Sequence, residues 1–231
     1  MNRVFLVGNI TGNIHYDILG GRPFLRLILM AGRPRVITGL RIILWDDKAT
    51  KFFPYLQRGS EIGVIGLLIT REYKGKLITE VEANHLILLR NINWENGPRP
   101  LDELSPAASA SFVVGRVEEN IQFGWLESSR QSTRSGEEVQ RLACLRLLIS
   151  NGKYLNGLYT VVYGTLAELA YPYLQAGSVI AVDGHLQTKD HEAGQKMIEV
   201  TAENIAFLQN IDWAAGAAAQ RRMMEDSRVE E

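Results

Sequence analysis

The sequence predicts an all-β chain: two tandem small barrels, each of five strands with one helix between the third and fourth. Three observations predict it. The phrase PYLQRGS at residues 54–60 returns as PYLQAGS at 172–178. Apolar residues around each copy recur with period two, as in half-buried strands. Each copy also holds one stretch, ending in the repeated phrase, that reads as a helix. A chain of 231 residues suits two domains of about 100 residues each.

The elements follow in order. In FLRLILM, Leu25, Leu27 and Leu29 share one face while Arg26, Ile28 and Met30 share the other. In the second copy Leu145, Leu147 and Ile149 oppose Arg146 and Leu148 in the same way. The expected strands are 3–10, 24–30, 40–45, 61–70 and 77–88, matched by 111–117, 141–150, 158–163, 179–188 and 195–207. The expected helices are 47–56 and 165–174, each closed by a glycine, Gly59 or Gly177, free to take the left-handed conformation favoured at a helix end.

The repeat extends in both directions. FLVGNITGNI (5–14) pairs with FVVGRVEENI (112–121), FLRLIL (24–29) with CLRLLI (144–149), and LRIILW (40–45) with LYTVVY (158–163). GLLIT (66–70) pairs with GHLQT (184–188), and EVEANHLILLRNINW (80–94) with EVTAENIAFLQNIDW (199–213). The offsets are 107, 120, 118, 118 and 119 residues, so insertions fall between blocks. The chain therefore divides into a module at 1–94, a Pro-containing linker at 95–110, a second module at 111–213 and a flexible tail at 214–231.

No run approaches the roughly 18 apolar residues of a membrane span, and the N-terminus lacks a signal-peptide pattern. The expectation is a cytoplasmic protein without a membrane partner. Cys144 is the single cysteine, so no internal disulfide forms, and it reads as a core residue. Trp94 and Trp213 read as anchors covering the module ends, and Trp125 is left unassigned in a long second-copy loop. Neither a cofactor nor a metal is expected. Asp46 and Asp47 sit in a strand–helix turn where capping explains one of them, and His185 and His191 lack a carboxylate arrangement that the first copy repeats. No enzyme is expected.

Five strands with one helix between the third and fourth is the plan of the OB-fold, a Greek-key barrel that binds oligonucleotides on its strand 2–3 face and loops. MNRVFLVGNIT, LRIILWDDKATKFFPYLQRGSEIGVIGLLITREY and KLITEVEANHLILL together resemble the bacterial single-stranded DNA-binding protein family. The resemblance covers nearly all of 1–94 and, more loosely, 111–213. Two modules in one chain resemble the double-barrel branch of that family. This implies a homodimer with four barrels, nucleoid association, and binding of single-stranded DNA in replication, recombination or repair.

Nonspecific single-strand binding needs cations for phosphates and rings for bases. On strand 3, Arg41, Ile43 and Trp45 point opposite to Leu40, Ile42 and Leu44, which fill the barrel. The resemblance makes Trp45 a base-stacking residue, with Tyr163 in its place in the second copy and Tyr159 four residues before, on the same face. It also makes Tyr73 a stacking residue, with His191 as its counterpart. The candidate cations are Arg26, Arg33, Arg35, Arg41, Arg71, Lys74 and Lys76 in the first module, and Arg146 and Lys189 in the second.

Residues 1–94 carry a net charge of +6 and residues 110–213 a net charge of −4. The first barrel is therefore the expected main binder and the second an auxiliary one. The resemblance departs at Gly39 and Gly157, where many family members carry a tryptophan. It departs again at the terminus EDSRVEE, which lacks the closing phenylalanine that recruits replication or repair proteins in the family. The competing expectation is a double-barrel scaffold or regulatory module that binds proteins, with weak or no nucleic-acid binding. RNA lies between the two, because stacking and cations alone do not distinguish the sugar.

Overall fold

The structure, a computed structural model, describes residues 1–33, 36–73, 75–90, 108–118, 121–126, 140–150, 155–191 and 195–229. In the first copy, β1 (Asn2–Leu19) pairs antiparallel with β2 (Arg22–Arg33), and β2 with β3 (Val36–Trp45). β4 (Glu61–Tyr73) pairs antiparallel with β1 and with β5 (Lys76–Arg90), which lies parallel to β3. The ring closes as β1–β2–β3–β5–β4. The second copy closes the same ring from β6 (Ala108–Val117), β8 (Gln140–Ser150), β9 (Leu155–Tyr163), β11 (Gln195–Gln209) and β10 (Val179–His191). Both are OB-fold barrels, as expected.

By contacts the chain falls into two compact units, Asn2–Phe112 with His185–Glu199, and Met1 with Val113–Gly184 and Val200–Glu231. Alternation places the core. Leu25, Leu27, Leu29, Leu40, Ile42 and Leu44 are buried in the first barrel, and Leu145, Leu147, Ile149, Leu158 and Val162 in the second. Ile43 and Val161 are buried as well, so the outward face of each third strand is covered at its middle. Gly66 and Gly184 are required by close approach: a Cβ at either would overlap the carbonyl of Glu82 or Thr201 on the neighbouring strand.

Each third strand runs into a short helix, α1 (Asp46–Phe52) or α2 (Gly164–Ala170), followed by a 3₁₀ turn at Phe53–Tyr55 or Tyr171–Tyr173. The expected helix ends are thus 3₁₀, with Pro54 and Pro172 inside the turns. The repeated phrase then makes the same turn twice. Gly59 and Gly177 have φ of 88° and 86°. Their amides donate to the Ile10 and Val117 carbonyls at 2.7 and 2.9 Å. Ser60 and Ser178, both fully buried, accept on Oγ from the Gln57 and Gln175 amides. Arg58 and Ala176 are exposed between these fixed groups, so the side chain can change there without disturbing the turn.

Several expectations need correction. β1 does not stop near residue 10: Gly12 (φ 76°) and a register shift between Thr11 and His15 form a bulge, and the strand continues to Leu19. In the second copy the matching stretch is a separate strand, β7 (Gln122–Leu126), paired with β8, and it includes Trp125. An aromatic stack holds each extension against its 3₁₀ turn. Tyr16 stacks on Phe53 at 4.7 Å and Phe123 on Tyr171 at 4.3 Å, the same pair with the ring types exchanged. Neither aspartate caps α1 through its side chain: Asp46 is left-handed (φ 58°), as is Gly164 at the matching turn (φ 60°). The segment expected as a tail forms α3 (Trp213–Val229); Trp213 is exposed, its ring edge-on to Tyr173 and Phe207. Trp94 and residues 95–107 of the linker lie outside the described residues. Among the described residues no helix is long and apolar enough to cross a membrane.

Candidate nucleic-acid interface

The outward face of β2 and β3 is built from cross-strand rungs, with Phe24 facing Trp45, Arg26 facing Ile43, Ile28 facing Arg41, and Met30 facing Gly39. Side chains on one face of neighbouring strands stand side by side, so these rungs lay two cations and an indole along one wall. A groove of about 410 Å³ opens there, lined by Asn13, His15, Arg26, Leu27, Ile28 and Arg41. Asn13 comes from the bulge of β1 and His15 from the strand beyond it, both past the strand end expected from the sequence.

Arg41 is held rather than loose. Its Nη1 lies 3.3 Å from Oε1 of Glu80, whose other oxygen takes Arg71 Nε at 2.7 Å. Glu80 is fully buried on β5, whereas the two arginines keep about a third to a half of their side chains in solvent. One carboxylate therefore anchors two guanidinium groups by charge-assisted hydrogen bonds and leaves a net single positive charge on the face. The second copy repeats the device in weaker form. Glu199 accepts from Gln187 at 2.6 Å and pairs with Lys189 at 3.2 Å. Glu80 and Glu199 occupy the same place in the repeat, and that recurrence is the signal by which sequence reasoning could have found them.

Trp45 is half-buried at the rim of the first barrel. Phe24 packs against it at 4.6 Å, and the Arg22 guanidinium lies 5.2 Å from the indole centroid. Arg22 is in turn clamped to Asp46 by two bonds of 2.9 and 2.6 Å. That hydrogen bond from Arg22 holds the Asp46 carboxyl below the usual carboxylate range.

In the second copy Leu142 faces Tyr163, Cys144 faces Val161, Arg146 faces Tyr159, and Leu148 faces Gly157. Since Tyr163 corresponds to Trp45, Arg146 occupies the position of Ile28, and Cys144 that of Arg26. The match of FLRLIL with CLRLLI is thus two residues out of register, and the offset of β8 from β2 is that of the following strand. A slip of two preserves which side chains point inward, so alternation cannot detect it. Cys144 is half-buried on the groove wall, not a core residue.

The second groove, of about 770 Å³, lies at the corresponding place, with Gln122, Cys144, Leu145, Arg146 and Tyr159 where the first has His15, Arg26, Leu27, Ile28 and Arg41. Ala176 also lines it, so a long side chain at that position would project into the groove. Glu118 adds a carboxylate, with Oε2 at 3.0 Å from Arg146 Nη1. The two glycines that replace tryptophan are filled differently. Ile28 and Met30 side chains cover Gly39, whereas the Arg146 guanidinium lies on Gly157 where a Cβ would overlap it.

Of the expected site residues, the structure brings Arg26 and Arg41 to one groove, Arg146 and Tyr159 to the other, and Trp45 and Tyr163 to the matching rims. Arg71 and Lys189 sit on the matching β4 and β10 strands beside their glutamates. Arg33, Tyr73, Lys76 and His191 are placed by strand position only, and Arg35 and Lys74 lie outside the described residues. Among the described residues no group of three or more His, Cys, Asp or Glu side chains is arranged to hold a metal ion.

The two closed rings and their matched grooves decide the architecture. The chain is a double OB-fold protein. Its fold is similar to that of the wild-type single-stranded DNA-binding protein from Thermus aquaticus, with a TM-score of 0.69 over 91% of this chain and 94% of that one. A deletion variant of the same Thermus protein gives 0.68 over 91% and 95%. Identities are 18% and 19%, respectively. No protein-family model matches the double OB-fold chain. No curated protein matches it in sequence.

Proposed function

We propose that this double OB-fold protein binds single-stranded DNA without sequence preference at its first barrel, as a non-enzymatic binding protein. The observation that carries the reading is the recurrence of an open groove on the strand 2–3 face of both barrels, edged in the first by Arg26, Arg41 and His15, with Trp45 at the end of the same strand as Arg41. The fold shared with the Thermus protein agrees with it. Phosphates follow the basic first module, bases stack at the Trp45 and Tyr163 rims, and the second barrel is auxiliary. Tyr73, Lys74, Lys76, Arg33 and Arg35 extend the path on the first barrel, and Lys189 and His191 on the second. A homodimer with four barrels, cytoplasmic and acting on the nucleoid in replication, recombination or repair, completes the proposal.

Titration with labelled oligothymidine tests it. The expected result is tight binding at low salt, quenching of tryptophan fluorescence, and a slope of log affinity on log salt of about −0.7 per phosphate neutralised. No quenching and no binding at low salt would falsify it. A second reading, a protein-binding scaffold, draws on the halving of the Arg41 and Arg71 charge by buried Glu80 and on the covering of Trp45 by Phe24 and Arg22. It predicts that replacing Arg41, Trp45 and Tyr73 together leaves oligonucleotide binding as weak as before.

A further inference from the structure

Resting on the reading that the chain binds single-stranded DNA, we propose that the groove of the second barrel is a guanine-selective subsite, read by Glu118 and Arg146 beside Tyr159. Among the described residues, this groove differs from its counterpart in carrying a carboxylate. Glu118 is tied to Arg146 twice, through its amide to the Arg146 carbonyl at 2.9 Å and through the 3.0 Å ion pair. Both side chains keep about a third of their surface open, 33% for Glu118 and 37% for Arg146. The guanidinium is located by two contacts, Nε and Nη2 lying over Gly157 and Nη1 paired with Glu118, and Nη1 carries a second N–H beyond the one that Glu118 takes.

A fixed carboxylate beside a fixed guanidinium is a poor phosphate site. The pair is neutral as a whole, and the carboxylate repels the anion. It is instead a row of two acceptors followed by donors. Among the four bases only guanine presents the complement on one continuous edge, with N2–H and N1–H for the two carboxylate oxygens and O6 for the adjacent guanidinium. Thymine offers one donor between two acceptors and sets a carbonyl against the carboxylate. Cytosine and adenine offer an amine next to an acceptor ring nitrogen, which also opposes the second oxygen. Tyr159 faces Arg146 across the rung and lines the same groove, supplying a ring for the base. The volume of about 770 Å³ admits a nucleotide.

Anisotropy titrations of the full chain with three labelled oligonucleotides test this: all thymidine, the same with deoxyguanosine at every third position, and the same with deoxyinosine there. The guanosine strand is expected to bind about tenfold more tightly than the thymidine strand. Inosine, which lacks the N2 amine, gives most of that gain back, and Glu118→Gln brings the guanosine-to-thymidine ratio to about one. Equal affinity of the wild-type chain for all three strands overturns the guanine subsite and leaves single-strand binding standing, without reliance on any variant. A full guanosine preference retained by a folded Glu118→Gln protein also overturns it. Binding to none of the three overturns the single-strand reading and this proposal together.

Discussion

The grooves of the two barrels occupy the same rungs of the same topology and have opposite chemistry. In the first, His15, Arg26 and Arg41 line a smaller opening with no carboxylate on its wall among the described residues. In the second, Gln122, Cys144 and Tyr159 stand at those places, the one arginine has moved to the Ile28 position, and Glu118 faces it. Under the proposed function, the barrel sets where a strand of nucleic acid lies, while a handful of outward residues decide whether phosphate or base is favoured there. Because inward residues carry the fold, the outward ones were free to diverge between copies.

The comparison breaks most readily through binding. Replacing Arg26, Arg41 and Trp45 together by alanine should weaken oligothymidine binding at low salt by about a hundredfold, given about 1–3 kcal/mol for a lost stacking ring plus two phosphate contacts. Replacing Arg146 and Tyr159 should cost at most about tenfold with the same all-thymidine probe. Equal losses in fluorescence titrations would end the asymmetry between barrels.

A smaller effect sharpens it. Glu80→Gln removes the buried charge that holds Arg41 and Arg71, so the first face gains one net positive charge. The salt dependence of oligothymidine binding should steepen by about one phosphate equivalent. The thermal midpoint should fall as the charge-assisted bonds are lost, by an amount corresponding to about 1–3 kcal/mol. Glu199→Gln in the second copy, where the carboxylate is 12% exposed and its partners are one lysine and one amide, should lower the midpoint less. Calorimetry of the two variants side by side measures the difference.

The smallest effect lies at the turn that both copies share. Asp46 and Gly164 are both left-handed, a conformation that burdens an aspartate and not a glycine. Asp46→Gly should raise the thermal midpoint slightly at neutral pH, because the ion pair it loses is half-exposed. The Asp46 carboxyl is held below its ordinary value of 3.8 by the hydrogen bond from Arg22. The stability that this bond supplies is complete above that value and disappears as the pH falls through the lowered one. The advantage of the glycine variant should therefore widen in acid, as a series of melts from neutral pH to pH 3 would show.

Much of this molecule is legible without coordinates. The Gln-x-Gly-Ser turn repeats because a positive φ, a buried hydroxyl and a glycine amide bonded to strand 1 are each needed in both copies. Inward leucines, isoleucines and valines mark the strands by their parity. Register between strands is a different matter: LRLIL and LRLLI match equally well in parity at offsets two residues apart, and only the rung of Arg146 with Tyr159 shows which is adopted. Gly12 and Asn13 lie past the expected strand end at residue 10, although a bulge carries β1 through them and brings His15 to the groove.

The sequence by itself determined two five-stranded barrels, their shared turn and the excess of cations in the first, because alternation, glycine conformation and net charge are local properties that need no partner. Tertiary structure alone decided that buried Glu80 holds Arg41 and Arg71, that Arg22 rather than solvent covers part of Trp45, and that Glu118 stands beside Arg146. Those pairings join residues on different elements, and their geometry exists only once the ring of strands has closed.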